Sequence, residues 1–142
     1  MELNNSIRAE RGNVVISGAG ITVGTIDTST TKEDLHGRAS EVSGGSVELR
    51  STLEINATEI LTYGETDGSH AGNGGNVTLE ALGGNVVVNN AIKTYSFAED
   101  HESRSGGSID IKASEGIFVG SSLGMGNVLD SSSTAVEYTS GE

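Results

Sequence analysis

The chain has 142 residues, enough for one domain of ordinary size, with 21 glycines, no proline and no cysteine. The two absences exclude a disulfide framework, a cysteine metal centre, collagen and a proline-rich linker. A net charge of -12, from 20 acids against 8 bases, excludes the basic stripe of a nucleic-acid binder, and no apolar run approaches the length of a membrane span.

The chain opens on Leu3-Asn4-Asn5-Ser6-Ile7-Arg8, which matches the later Val88-Asn89-Asn90-Ala91-Ile92-Lys93 position for position. Residues 1–11 therefore read as the end of a preceding coil, and the chain as a fragment of a longer solenoid, with a small self-associating β-solenoid whose coils stack end to end as the competing reading. The first residues lack the basic and apolar regions of a signal peptide.

A phrase then recurs four times. It is Gly12-Asn13-Val14-Val15-Ile16, Gly45-Ser46-Val47-Glu48-Leu49, Gly75-Asn76-Val77-Thr78-Leu79 and Gly107-Ser108-Ile109-Asp110-Ile111. The glycines lie 33, 30 and 32 residues apart. A period in this range means one supersecondary unit stacked on copies of itself. The repeats run approximately 12–43, 44–73, 74–105 and 106–142.

Each repeat alternates apolar and polar residues, the period of strands and not of helices. The first strand points Val14/Ile16, Val47/Leu49, Val77/Leu79 and Ile109/Ile111 inward. The second is expected to point Ile21/Val23, Leu53/Ile55, Val86/Val88 and Ile117/Val119 inward. The third offers Ile26/Thr28, Ile60/Thr62, Ile92/Thr94 and Val128/Asp130, with Leu123 a rival for Val128 because extra residues enter the fourth repeat there. Three short strands per coil, with no helix between them, predict an all-β, single-stranded right-handed parallel β-helix of about four and a half coils. Hydrophobic residues make up 34% and aromatics 4%, which suits a thin core of Val, Ile and Leu. Outward residues Arg50, Glu80 and Lys112 share a column of alternating sign.

Long polar loops leave one corner, at roughly residues 30–43, 64–73 and 97–105. They hold all three histidines, His36, His70 and His101, beside acids such as Asp67 and Asp100. These residue types can ligate a metal, but their spacing matches no metal motif, and a solvated acidic loop explains them. No metal or cofactor is expected. The calcium-binding nonapeptide is excluded, because Gly74-Gly75-Asn76-Val77 lacks its third glycine and its aspartate. Tyr63 and Tyr95 share an outward position before the loops. They read either as a sugar platform or as aromatics stacked on adjacent coils. The glycine pairs open no helix, so they are corners and not phosphate loops. Asn56-Ala57-Thr58 and Asn76-Val77-Thr78 match the glycosylation sequon, a match that chance readily supplies.

The unit Gly74-Gly75-Asn76-Val77-Thr78-Leu79-Glu80-Ala81, followed by Ile92-Lys93-Thr94-Tyr95-Ser96 and a polar loop, resembles a known family. It is similar to the repeats of filamentous-haemagglutinin-like exoproteins, which are secreted by the two-partner route and abundant in cyanobacteria. The resemblance covers nearly the whole chain. It implies a shaft segment of a secreted or surface-attached bacterial β-helical adhesin, without catalysis. The partners it implies are a glycan, a host or neighbouring cell surface, or end-to-end copies of the chain; neither nucleic acid nor membrane insertion of this segment is expected. Two other readings compete. A polysaccharide lyase or hydrolase on a β-helix needs paired carboxylates in a groove, and the acids here sit mainly in loops. Ice binding needs a flat Thr array, and the column Thr28, Thr62 and Thr94 reads as inward and one residue wide.

Overall fold

The computed structural model describes residues 2–3, 6–9, 11–30, 43–66, 73–98, 106–120, 129–130 and 133–135. Among these residues the chain is all β, without a helix. The strands are β1 (Glu2–Leu3), β2 (Ile7–Arg8), β3 (Val14–Gly18), β4 (Ile21–Asp27), β5 (Val47–Ser51), β6 (Ile55–Leu61), β7 (Gly64–Thr66) and β8 (Val77–Ala81). They continue with β9 (Val86–Val88), β10 (Ile92–Lys93), β11 (Ser96–Ala98), β12 (Ile109–Ala113), β13 (Ile117–Val119), β14 (Leu129–Asp130) and β15 (Ser133–Ala135).

Every pairing between these strands is parallel. Each strand pairs with its counterpart one repeat away, so the recurring phrase becomes the sheet β3-β5-β8-β12. Val14, Val47, Val77 and Ile109 form one column of that sheet, and Ile16, Leu49, Leu79 and Ile111 the next. Parallel sheets built by repeated passes of one chain are the architecture of a β-solenoid. The core fills the space between this sheet and the larger one that contains β4, β6, β9 and β10. Eleven large side chains there are under 2% exposed, among them Ile21, Leu49, Ile55, Leu79 and Ile92. Burying each contributes roughly 1.5–3 kcal/mol, which outweighs what exposed ion pairs supply.

One inward pair and one register differ from the sequence expectation. In the second repeat the inward pair is Ile55/Ala57 and not Leu53/Ile55. Ile55 lies in register with Ile21 and Val86, and Ala57 with Val23 and Val88, while Leu53 is 48% exposed in the preceding turn. In the fourth repeat Leu129, and not Val128, is in register with Ile92. Val128 and its rival Leu123 lie outside the described residues. The other columns keep the expected register, and Thr28, Thr62 and Thr94 are each fully buried; Ile117, expected inward and in register with Val86, is 48% exposed.

A third, smaller sheet, β7-β11-β15, follows the third strands. The sequence reading placed polar loop there. Its signal was the alternation in Tyr95-Ser96-Phe97-Ala98, whose Ser96 is buried.

Candidate functional site

The loops leave the shaft between a buried threonine and a glycine. The Thr28 hydroxyl donates to the Gly45 carbonyl at 2.5 Å, Thr62 to Gly75 at 2.6 Å, and Thr94 to Gly107 at 2.7 Å. Each glycine N–H donates back to the same threonine's carbonyl, at 2.9, 2.7 and 2.7 Å. Two opposed hydrogen bonds thus close the base of each loop.

These glycines are required by close backbone approach. A Cβ on Gly75 would lie 2.1 Å from the Gly45 carbonyl oxygen, and one on Gly74 would lie 1.6 Å from the Thr94 oxygen. Real Cβ atoms do not come so near, so any side chain here forces the neighbouring passes apart.

The chain also makes this closure without a long loop. Ala9 occupies the threonine column, since β2 pairs with β4 through Ile7 and Ile26. The Gly12 N–H donates to the Ala9 carbonyl at 2.7 Å across only two intervening residues, one of which, Arg11, has φ 61°. The long loops are therefore insertions into a closure that stands without them.

Beside these closures lie the two tyrosines picked out from the sequence. The rings of Tyr63 and Tyr95 stack with centroids 4.7 Å apart and planes 1° from parallel. Backbone bonds fix this register: the Gly64 N–H donates to the Tyr95 carbonyl, and the Thr30 N–H to the Tyr63 carbonyl, each at 3.0 Å. Each ring covers one face of the other. A sugar stacks on an aromatic face, so the pair offers it fewer faces than two separate rings would. The arrangement suits an aromatic ladder that holds register. His36, Asp67, His70, Asp100 and His101 lie outside the described residues. Among the described residues no group of three or more His, Asp or Glu could hold a metal ion.

A second ladder uses asparagine. The Asn13 side-chain oxygen accepts from the Ser46 N–H, and that of Asn76 from the Ser108 N–H, each at 2.9 Å. Asn85 accepts in the same way from the Gly116 N–H at 2.7 Å. The alternation of Asn and Ser after the recurring glycine thus links passes in pairs.

Among the described residues, two grooves open on the shaft. One, of about 420 Å³, is lined by Ser17, Gly18, Ala19, Arg50, Ser51, Thr52, Glu80 and Leu82. Its one base, Arg50, is engaged with Glu48 at 2.5 Å and Glu80 at 2.7 Å. The hydrogen bond and charge of Glu48, and then the charge of Glu80, raise the Arg50 pKa. That guanidinium is committed within the shaft and is a poor anchor for an outside anion. The other groove, of about 140 Å³, is lined by Thr22, Val23, Gly24, Asn56, Ala57, Thr58 and Asn89 on the outer face of β4, β6 and β9. Its polar lining is neutral. Sequence reading passed over it, because Thr22, Asn56 and Asn89 carry no motif and meet only through register.

Among the described residues no helix is long and apolar enough to cross a membrane. No family model, no curated protein and no solved structure matches the chain.

Proposed function

We propose that the chain is a segment of a right-handed parallel β-helical shaft, with three strands per coil and about four and a half coils. In this reading it serves a secreted or surface-attached bacterial adhesin as a structural and interaction element, without catalysis. One observation carries the reading: the same Thr–Gly closure brackets loops of different length, and Ala9 and Gly12 make its short form. A constant shaft that tolerates variable insertions at one corner is how solenoids carry recognition. The acidic surface opposes nucleic acid and anionic membrane as partners.

The test compares the chain with a variant in which residues 29–44 are replaced by Glu-Gly, following the short closure at Gly12. Both are measured for adhesion to bacterial and epithelial cells. The expected result is adhesion by the native chain and weaker adhesion by a variant that keeps its β signal in circular dichroism. Equal adhesion by the two removes the role of that loop. Cleavage of any member of a polysaccharide panel by the native chain overturns the non-catalytic reading.

A further inference from the structure

The outer face of β4, β6 and β9 gathers several neutral polar side chains that bond to no other protein group among the described residues. Asn13, Asn76 and Asn85 give their side-chain oxygens to neighbouring backbone, and the Asn90 amide donates to Glu59 at 3.4 Å. Among the described residues, the side chains of Thr22, Asn56, Thr58 and Asn89 make no such bond, and these four line the smaller groove. Thr22 and Thr58 supply hydroxyls, and Asn56 and Asn89 supply an amide donor and acceptor each.

The register arranges these groups in rows. Thr22, Asn56, Val87 and Phe118 form one outward column. Thr58 and Asn89 extend the next, two residues along the strands, with Gly24 at its start. Between the columns lie Val23 and Ala57, whose side chains turn to the opposite, buried face of the strands. The first column ends on an aromatic side chain. Phe118 is 60% exposed, and its ring is held against Gly116, where a Cβ would meet it at 2.7 Å. One edge of the ring lies close to Gly116 while much of the side chain meets solvent.

We propose that this face binds an extended, neutral glycan, an inference that rests on reading the chain as an extracellular interaction segment. Neutral donors and acceptors in a shallow row match a ligand made of hydroxyls. The exposed aromatic ring matches the apolar face of a pyranose. The rows repeat at about 4.8 Å, so Thr22 to Phe118 spans roughly 14 Å, long enough for a short run of sugar rings. Charge selects against acidic glycans: the chain carries -12, and Glu59 follows Thr58 in β6. The site lies on the shaft, away from the Thr–Gly closures, so it does not depend on the loops.

The test titrates the intact chain by calorimetry with cellohexaose, laminarihexaose and mannohexaose, and with hexagalacturonate as the anionic arm. Two variants carry the proposal, Asn56→Ala with Asn89→Ala, and Phe118→Ala, alongside a Thr78→Ala control on the opposite sheet. The expected result is binding of at least one neutral hexasaccharide, weakened about tenfold or more in both variants and unchanged in the control. Circular dichroism confirms that each variant folds. The variant lacking residues 29–44 binds the same hexasaccharide as the native chain. The proposal is overturned if no neutral hexasaccharide binds, if hexagalacturonate binds as tightly, or if the groove variants bind like the native chain. If binding survives the groove changes but is lost with residues 29–44, the groove falls while the interaction reading stands.

Discussion

Thr62 and Gly75 hold each other through two opposed hydrogen bonds across the base of a loop. The threonine hydroxyl donates to the glycine carbonyl at 2.6 Å, and the glycine N–H donates to the threonine carbonyl at 2.7 Å. Thr62 is fully buried, so water cannot replace its hydroxyl. Thr62→Val keeps the shape and leaves the Gly75 carbonyl without its side-chain donor. An unsatisfied buried acceptor costs about 1–3 kcal/mol. The expected result in urea denaturation is a lower midpoint by that amount with an unchanged slope, and partial recovery in Thr62→Ser. A valine variant as stable as the native chain would mean the closure contributes nothing.

The glycine side of the closure gives a sharper contrast. Gly75→Ala places a Cβ 2.1 Å from the Gly45 oxygen, a contact relieved only by separating two passes. Overpacking that the backbone must absorb costs about 3 kcal/mol or more. Gly12→Ala meets the Ala9 oxygen at 3.3 Å and needs a shift of tenths of an ångström. It is expected to stay within about 1 kcal/mol of the native chain, because alanine also restricts the unfolded state. Thermal midpoints for the two variants check this directly, and similar losses would remove close approach as the reason for the recurring glycine.

The short closure makes the loops separable from stability. Replacing residues 29–44 by Glu-Gly preserves Thr28 and Gly45 and supplies glycine where Arg11 sits at φ 61° in the short turn. Shortening a loop lowers its closure entropy by only about 0.6 kcal/mol per halving, so a midpoint close to native is expected. The variant loses the pairing of Thr30 with Gly64, a small subtraction at the edge of the third sheet. Unfolding or aggregation on this replacement would show that the loop supports the shaft.

Much of this was legible in the sequence, and the failures have a common cause. The columns of the first sheet follow from the recurring glycine phrase, since that phrase also fixes where its strand begins. The second strand begins after a turn whose length changes: from Ile16 to Ile21, Leu49 to Ile55 and Leu79 to Val86 the span grows by one residue at each repeat. A period-2 strand shifted by two residues still alternates, so the pattern could not tell Leu53 from Ala57. The tyrosine pair was visible because like residues recur. The groove was not, because Thr22, Asn56 and Asn89 are unlike residues brought together only by parallel register.

Arg50 ties the outer face of the first sheet across two passes, through Glu48 on its own strand and Glu80 on the next. Its raised pKa means that its contribution is complete below the ordinary guanidinium range and is lost only as pH rises through the folded value. No titration of Arg50 therefore falls between mildly acid and mildly alkaline pH. Arg50→Met is expected to lower the denaturation midpoint slightly in dilute buffer, with the difference flat across that pH range. The difference should vanish at high salt, since the group is exposed and screened. A difference that survives molar salt would assign the effect to packing of the arginine stem.

Leu53 and Ile55 decide the register of the second repeat by experiment. Both are large, apolar and two residues apart, yet Ile55 is fully buried and Leu53 is 48% exposed. Ile55→Ala removes side-chain volume between Ile21 and Val86 in the same column, where both neighbours are themselves buried. The packed passes on either side limit collapse into the void, so the loss is expected at about 2–5 kcal/mol. Leu53→Ala trims a turn residue and is expected to stay within about 0.5–1 kcal/mol of native. Denaturation midpoints measured side by side give the answer. A larger loss at Leu53 would return the inward pair to Leu53 and Ile55, shift β6 by two residues against both neighbours, and take Asn56 out of the row that begins at Thr22.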